Sequence, residues 1–158
     1  MKKNKISKNW INKQRRDIYV RRSKIEGYRS RAIYKLKEID EKFKILKQSR
    51  SVVDLGAAPG SWSQYLAKNI KNGKILSIDL LQFEPIKNTH QIVGDFTDGK
   101  YKAQIKNYFN GKIDVIVSDM AVNTTGNKNL DSIVTGELCL EAMKFSLDVL
   151  DQKGRFVS

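Results

Sequence analysis

The sequence predicts an α/β fold built on a mostly parallel, doubly wound sheet. Three observations carry that expectation. From about residue 50 onward, short β-branched runs alternate with stretches of helical periodicity, the pattern that right-handed strand–helix–strand crossovers produce. The first run, Val52-Val-Asp-Leu55, ends in a glycine-bearing turn, Gly56-Ala-Ala-Pro-Gly60, that leads into a helix. Acids then recur at or just past the ends of successive strands: Asp54, Asp79, Asp95 and Asp119. In a parallel open sheet those ends share one edge, and ligands bind in the crevice outside them.

Taken in order, residues 1–16 are rich in Lys, Arg and Asn and predict a basic, mobile tail ahead of a domain spanning residues 17–158. A short helix is expected over residues 17–24. Ser30 is placed to cap a second helix, whose apolar stripe is Ala32, Ile33, Leu36 and Ile39, with Phe43 and Leu46 packing past its end. Strand one covers residues 52–55. A helix over residues 63–70 buries Tyr65, Leu66 and Ile70 and stops at Asn72-Gly73. Strand two covers 74–79, and strand three covers 91–93 and runs into Gly94-Asp95. A helix over 101–109 stops at Asn110-Gly111. Strand four covers 114–118 and ends at Asp119. A polar loop over 123–131 precedes a long helix over 133–150, stopped by Lys153-Gly154. Residues 155–157 open a fifth strand. A strand of that length is a poor finish for a doubly wound sheet, so the sequence is expected to be a fragment lacking its C-terminal strands.

Charge is distributed unevenly along the 158 residues. Residues 1–50 hold 18 of the 30 Lys and Arg but 5 of the 17 Asp and Glu, which accounts for the whole net charge of +13. Such asymmetry points to a polyanion engaged by one end of the protein. The basic residues continue through the segment 25–46, which reads as folded, and this favours nucleic acid over a solvated tail. Anionic lipid is disfavoured, because Trp10, Ile11, Ile18 and Tyr19 are too sparse among charges to anchor a helix in a membrane surface. No apolar run reaches the length of a membrane span, and no apolar segment follows the basic N-terminus as in a secretory signal. One cysteine, Cys139, and one histidine, His90, cannot build a zinc cage. A carboxylate magnesium site has no motif behind it, so no metal is expected. The lone cysteine fits a reducing compartment, and the expected location is cytoplasmic. His90 reads as a surface residue and Cys139 as a core residue. Glu137 and Glu141, four apart on a helix, read as a solvated face.

The glycine turn and the strand-end acids narrow the ligand. Asp79 lies about 20 residues past the turn, where a ribose-binding carboxylate belongs in a nucleotide-binding unit. The turn matches neither Gly-x-Gly-x-x-Gly nor a P-loop, and Pro59 removes an amide that might hold a phosphate. Few phosphate donors and several carboxylates suit a ligand with ribose, adenine and positive charge. S-adenosylmethionine has those groups and no phosphate, so a methyl donor is favoured over a dinucleotide.

The segment Asp54-Leu-Gly-Ala-Ala-Pro-Gly-Ser-Trp-Ser-Gln64 resembles the methyl-donor loop of the FtsJ-type (heat-shock) ribosomal RNA large-subunit 2′-O-methyltransferases. Three other segments agree with that family in order and spacing. Arg29-Ser-Arg-Ala-Ile-Tyr-Lys-Leu36 resembles its catalytic-lysine motif, Val93-Gly-Asp-Phe96 its third-strand motif, and Ser118-Asp-Met-Ala-Val-Asn123 its fourth-strand motif. The resemblance implies a Rossmann-like class I methyltransferase fold with S-adenosyl-L-methionine as cofactor. It also implies residue roles: Gly60 and Trp62 contact the donor, Asp79 binds its ribose, Asp95 sits by its adenine, and Asp119 lies by its amino-acid end and the reactive centre. Lys35 is then the catalytic lysine beside the target ribose, with Asp119 as its partner.

The chemistry implied is in-line displacement at a sulfonium methyl carbon, in which alignment of the nucleophile supplies much of the rate. A ribose 2′-hydroxyl attacks well only when its proton is removed or shared. A lysine can act as that base when its surroundings favour the neutral amine, and a neighbouring carboxylate orients it. In the family a Lys-Asp-Lys-Glu set performs these tasks. Lys35 and Asp119 match the first two members, and the sequence Gly154-Arg-Phe-Val-Ser158 stops just before the second lysine, which the resemblance implies is the proton acceptor, and before the glutamate. If these residues were the whole polypeptide, weak or no catalysis would be expected. Val122 and Ser61 stand where the family commonly has proline and glycine. The resemblance implies methylation of a uridine of 23S ribosomal RNA in the large ribosomal subunit, by a monomer acting in ribosome biogenesis. The alternatives are a non-catalytic module that binds the methyl donor and RNA, and the same chemistry on transfer RNA.

Overall fold

A computed structural model describes residue 13 and residues 17–121 and 125–158. The rest of the expected basic tail, with Trp10 and Ile11, lies outside the described residues, as do Val122 and Asn123. In chain order the elements are α1 (Ile18–Ile25), α2 (Ile33–Phe43), β1 (Ser51–Leu55), α3 (Ser61–Asn69), β2 (Lys74–Asp79), β3 (His90–Val93), α4 (Gly99–Phe109), β4 (Ile113–Ser118), α5 (Lys128–Val149) and β5 (Leu150–Val157).

The five strands form one sheet in the order β3-β2-β1-β4-β5. Every neighbouring pair is parallel. The chain therefore builds outward from β1 in one direction, then returns to lay β4 on the other side of β1, so the order reverses between β1 and β4. That reversal opens a crevice at the C-terminal ends of the two strands. Strand residues alternate between two cores. Val52, Ile75, Val115 and Val117 pack with Ile33, Leu36, Trp62 and Leu66 of α2 and α3. Val53, Leu55, Leu76, Ile78 and Ile116 pack on the opposite face with Ile105, Phe109, Ala142 and Phe145 of α4 and α5. Burial on both faces explains why these strands read as continuous apolar runs.

Local chemistry sets most boundaries. Asp17 caps α1 by accepting from the Tyr19 amide at 2.9 Å, and Asp98 caps α4 in the same way through Lys100. Asn110 takes a left-handed conformation (φ 50°) where Asn110-Gly111 was expected to stop the helix.

Five expectations are corrected. Ser30 does not cap α2: Arg31 and Ala32 form a turn, the helix starts at Ile33, and Ala32 occupies the cap without a side-chain bond. Phe43 does not pack past the helix end but is 61% exposed, because Lys44 turns the chain in a left-handed step there. The last helix begins at Lys128, inside the expected polar loop, since Asn127 accepts from the Asn129 and Leu130 amides and caps it early. Its first half lies largely on the surface, and Cys139 is consequently exposed rather than in the core. At its other end the helix stops at Val149, and Lys153-Gly154 falls inside β5, whose register against β4 breaks between the Ile113–Leu150 and Val115–Arg155 pairs. His90 is exposed as expected, stacked on Tyr108. Glu141 pairs with Lys102 and Lys144 on the face that was read as solvated.

Candidate active site

The glycine turn sits directly on the end of β2. The amides of Gly56 and Ala57 both donate to the Ile78 carbonyl, at 2.9 and 3.1 Å. Gly56 has φ 71°, and a Cβ there would stand 2.1 Å from Met120 Cγ. Both the backbone angle and the contact demand glycine, because any side chain would displace Met120 from the edge of the crevice. Asp79 closes the turn from the other side, accepting from the Ala58 amide (2.9 Å) through one oxygen and from the Leu81 amide (2.8 Å) through the other.

A cleft of about 530 Å³ opens at this edge. Asp79, Asp95 and Asp119 supply its carboxylates, one from each of three strand ends. Leu80, Leu81, Phe96 and Met120 supply apolar wall, and Gly56 lets the backbone itself face the space. Asp95 is fixed by the amide and hydroxyl of Thr97, at 2.9 and 2.7 Å. Asp119 reaches the other way: its Oδ1 lies 2.8 Å from Lys35 Nζ on α2, across 84 residues of sequence. Lys35 lines a second cavity of about 760 Å³ between α1 and α2, so the ion pair stands at the seam between two open spaces. The Lys35 side chain is 65% exposed.

The structure separates the remaining candidates from this cleft. Asp54 is not a cleft residue. Alternation along β1 turns it toward α3, where it is 1% exposed and accepts from Ser63 Oγ at 2.6 Å. Ser63 Oγ lies 2.6 Å from Ser77 Oγ, which completes a buried polar triad beneath the turn. Burial pushes the Asp54 carboxyl up to about 7; the Ser63 hydrogen bond pulls it down, and the negative charges of Asp79 and Asp119 push it up further. Gly60 and Trp62 also stand apart from the cleft lining. Gly60 has φ 104° at the start of α3, and the space beside it is filled by Arg29, Phe83 and Ile86. Trp62 is 5% exposed, and its indole N–H donates to the Ala32 carbonyl at 2.7 Å.

That tryptophan belongs to a clamp that sequence reasoning missed. The segment before α2 is tied to the start of α3 by Trp62–Ala32, by Ser30 Oγ to Ser61 Oγ (2.5 Å) and by the Arg29 amide to Gln64 Oε1 (3.0 Å). The Arg29 guanidinium then donates to the carbonyls of Pro59, Glu84 and Pro85 and lies over the Phe83 ring. Arg29 thus fastens three pieces together: the base of Lys35's helix, the glycine turn, and the loop after β2 that carries Leu80 and Leu81. The only sequence signal was that Arg29 opens the same short motif as Lys35.

Among the described residues no Lys or Arg lines the cleft, and three carboxylates there favour a cationic ligand with hydroxyls to donate. The apolar wall suits a flat base. A ligand with a flat base, hydroxyls and positive charge fits both features, and the three carboxylates would repel a phosphate-rich dinucleotide. Among the described residues, no group of three or more His, Cys, Asp or Glu is placed to hold a metal ion, and no helix is long and apolar enough to cross a membrane.

Comparison with known proteins agrees with this geometry. Residues 28–158 match the model of the FtsJ-like methyltransferase family. The chain is 63% identical, over its full length and 78% of the relative's, to the ribosomal RNA large subunit methyltransferase E of Pelagibacter ubique. Over 96% of the chain it is 48% identical to the protein of the same name from Rickettsia akari, covering 70% of that relative. Among solved structures, a ribosomal RNA methyltransferase from Plasmodium falciparum superimposes with a TM-score of 0.74 at 37% identity, covering 82% of this chain and 77% of that one. A methyltransferase of the mycinamycin biosynthetic pathway, in complex with magnesium, S-adenosylhomocysteine and mycinamycin VI, shares the fold at 16% identity and a TM-score of 0.54, over 80% of this chain and 32% of that one. The helix of Lys35 clamped onto a glycine turn, a carboxylate-lined cleft and these matches give one conclusion: the chain belongs to the FtsJ-like methyltransferase family.

Proposed function

We propose that this protein methylates a ribose 2′-hydroxyl in RNA of the large ribosomal subunit, a uridine of 23S ribosomal RNA, in the cytoplasm, with S-adenosylmethionine as donor. The observation that carries the reading is the Lys35–Asp119 pair, 2.8 Å apart at the seam between the carboxylate cleft and the cavity beside α2. The family and the names of its relatives support the substrate class, and the basic charge of residues 1–50 supplies a surface for RNA phosphates.

In this reading Asp79 accepts from the donor's ribose hydroxyls, Asp95 stands by its adenine, and Asp119 faces its positively charged end. S-adenosylmethionine supplies an electrophilic methyl on a positive sulfur. The chain supplies position. Lys35 Nζ, held by Asp119 Oδ1, is the group that meets the incoming 2′-hydroxyl. Its N–H donates to the 2′-oxygen and turns a lone pair toward the methyl, while Asp119 holds Nζ in that position. Lys35 is open to water in the structure, so RNA seated over it would exclude the water that competes for its hydrogen bonds. Asp119 faces both the donor and Lys35, which aligns the two reactants across one carboxylate.

The test uses tritiated methyl donor with purified large subunits and with free ribosomal RNA. The reading predicts label at one uridine, recovered after alkaline hydrolysis as a resistant dinucleotide, the signature of a 2′-O-methyl group. Label on a base, or on transfer RNA alone, would contradict it. Donor binding with no incorporation into any RNA would favour the non-catalytic binding module.

A further inference from the structure

The cavity between α1 and α2 has a composition that donor binding does not explain. Its walls carry two aromatic rings, Tyr19 and Tyr34, and the cations Lys24, Arg29, Arg31 and Lys35 against one acid, Glu38. The two rings are packed together with their planes tilted by 42°. Tyr34 is buried, with the Arg22 guanidinium 5.2 Å from its ring centre, and Tyr19 lies 5.2 Å from it. Tyr19 itself is 43% exposed, an unusual position for a tyrosine already packed on another ring. Three of the cations are occupied, Arg31 by Asp17, Lys35 by Asp119 and Arg29 by three carbonyls. Lys24 makes no ion pair among the described residues, which leaves it available to an anion.

We infer that this cavity receives the target nucleotide, with its base stacked on the Tyr19 ring and Lys24 on a neighbouring phosphate. The inference rests on the methyl-transfer reading and extends it to substrate recognition. The geometry follows from the nucleoside. The 2′-oxygen and the base occupy adjacent ribose carbons, so a 2′-hydroxyl brought to Lys35 Nζ places its base within reach of the walls next to Lys35. The cleft on the far side of the ion pair is shaped for the donor, so the base falls on the α1–α2 side. There the exposed aromatic face is Tyr19. A single unstacked base on an aromatic ring, with cations along the backbone, is the common mode of single-stranded RNA recognition. A uridine turned out of its stack fits this arrangement, whereas a paired base in an A-form helix does not.

The test compares Tyr19→Ala and Tyr19→Phe with the unaltered protein in methyl transfer to large subunits, alongside donor affinity by calorimetry and melting temperature. Loss of one base–aromatic stack predicts a fall in kcat/KM for RNA of about tenfold or more in Tyr19→Ala. Tyr19→Phe keeps the ring and should stay within about twofold, and donor affinity should be unchanged in both. Equal kcat/KM for Tyr19→Ala and the unaltered protein would overturn the assignment, as would equal losses in the Phe and Ala variants. Photocrosslinking to 5-iodouridine-substituted large-subunit RNA separates this inference from the reading beneath it. A crosslink at Tyr19 without any methyl transfer would retain the nucleotide site and remove the enzymatic reading. Methyl transfer with crosslinks only outside the α1–α2 cavity would do the reverse.

Discussion

Asp54 offers a test of the buried chemistry beneath the glycine turn. Its carboxyl is held in an apolar layer with one strong donor, Ser63, and two carboxylates nearby, and titrates at about 7 instead of its ordinary 3.8. The folded state therefore keeps a proton that the unfolded chain has already released. Stability contributed by this group is fully present below the ordinary value and declines as pH rises through the interval to about 7. Roughly three pH units at about 1.4 kcal/mol each give a loss of about 4 kcal/mol, complete above that pH. Asp54→Asn mimics the protonated form at every pH. Measured by chemical denaturation, the variant's stability relative to the unaltered protein should rise by about 2–3 kcal/mol between about pH 5 and about pH 8, equivalent to about 5–10 °C in melting temperature for a chain of this size. The amide's second N–H adds a constant offset, so the change with pH is the diagnostic quantity. A difference that stays flat across this range would refute the raised titration and the buried, desolvated setting from which it follows.

Two other changes probe the cleft. Asp79→Ala removes the acceptor assigned to the donor's ribose and should weaken donor binding by about tenfold to a hundredfold with RNA affinity nearly unchanged, as read by calorimetry and filter binding; equal loss of both would remove the ribose role. Arg29→Ala releases three carbonyls and the Phe83 ring, and should cost about 1–2 kcal/mol in donor binding, although Arg29 does not line the donor cleft. Arg29→Lys should recover little, because an ammonium lacks the planar fork that serves several carbonyls at once. Unaltered donor affinity in Arg29→Ala would show that the loop after β2 holds its shape without the clamp.

The sheet was legible because its strands are short apolar runs bounded by Gly, Asn and Asp. β2 was read to the residue, and the other central strands to within one, since burial on both faces leaves no ambiguity in such runs. The early start of α5 was hidden because its first turns are largely exposed and carry no apolar stripe, leaving only the Asn127 cap to announce them. The same exposure misled the reading of Cys139. At the site, spacing located the strand-end acids but not the direction each side chain takes. One residue of phase along β1 turned Asp54 into the core, while Asp79, Asp95 and Asp119 reached the cleft. The Lys35–Asp119 pair spans 84 residues, and only the family resemblance brought its members together. The Arg29 clamp had no signal of its own, because its partners are backbone carbonyls that any residue could present.

Single-turnover methyl transfer by Lys35→Ala, with saturating donor and large ribosomal subunits, tests the Lys35–Asp119 seam most directly. A lysine that meets the 2′-hydroxyl and orients it for attack predicts a fall in rate of about a hundredfold or more, with donor affinity unchanged within about twofold. A rate close to that of the unaltered protein, or a loss fully explained by weaker donor binding, would contradict the placement of the chemistry at the Lys35–Asp119 seam.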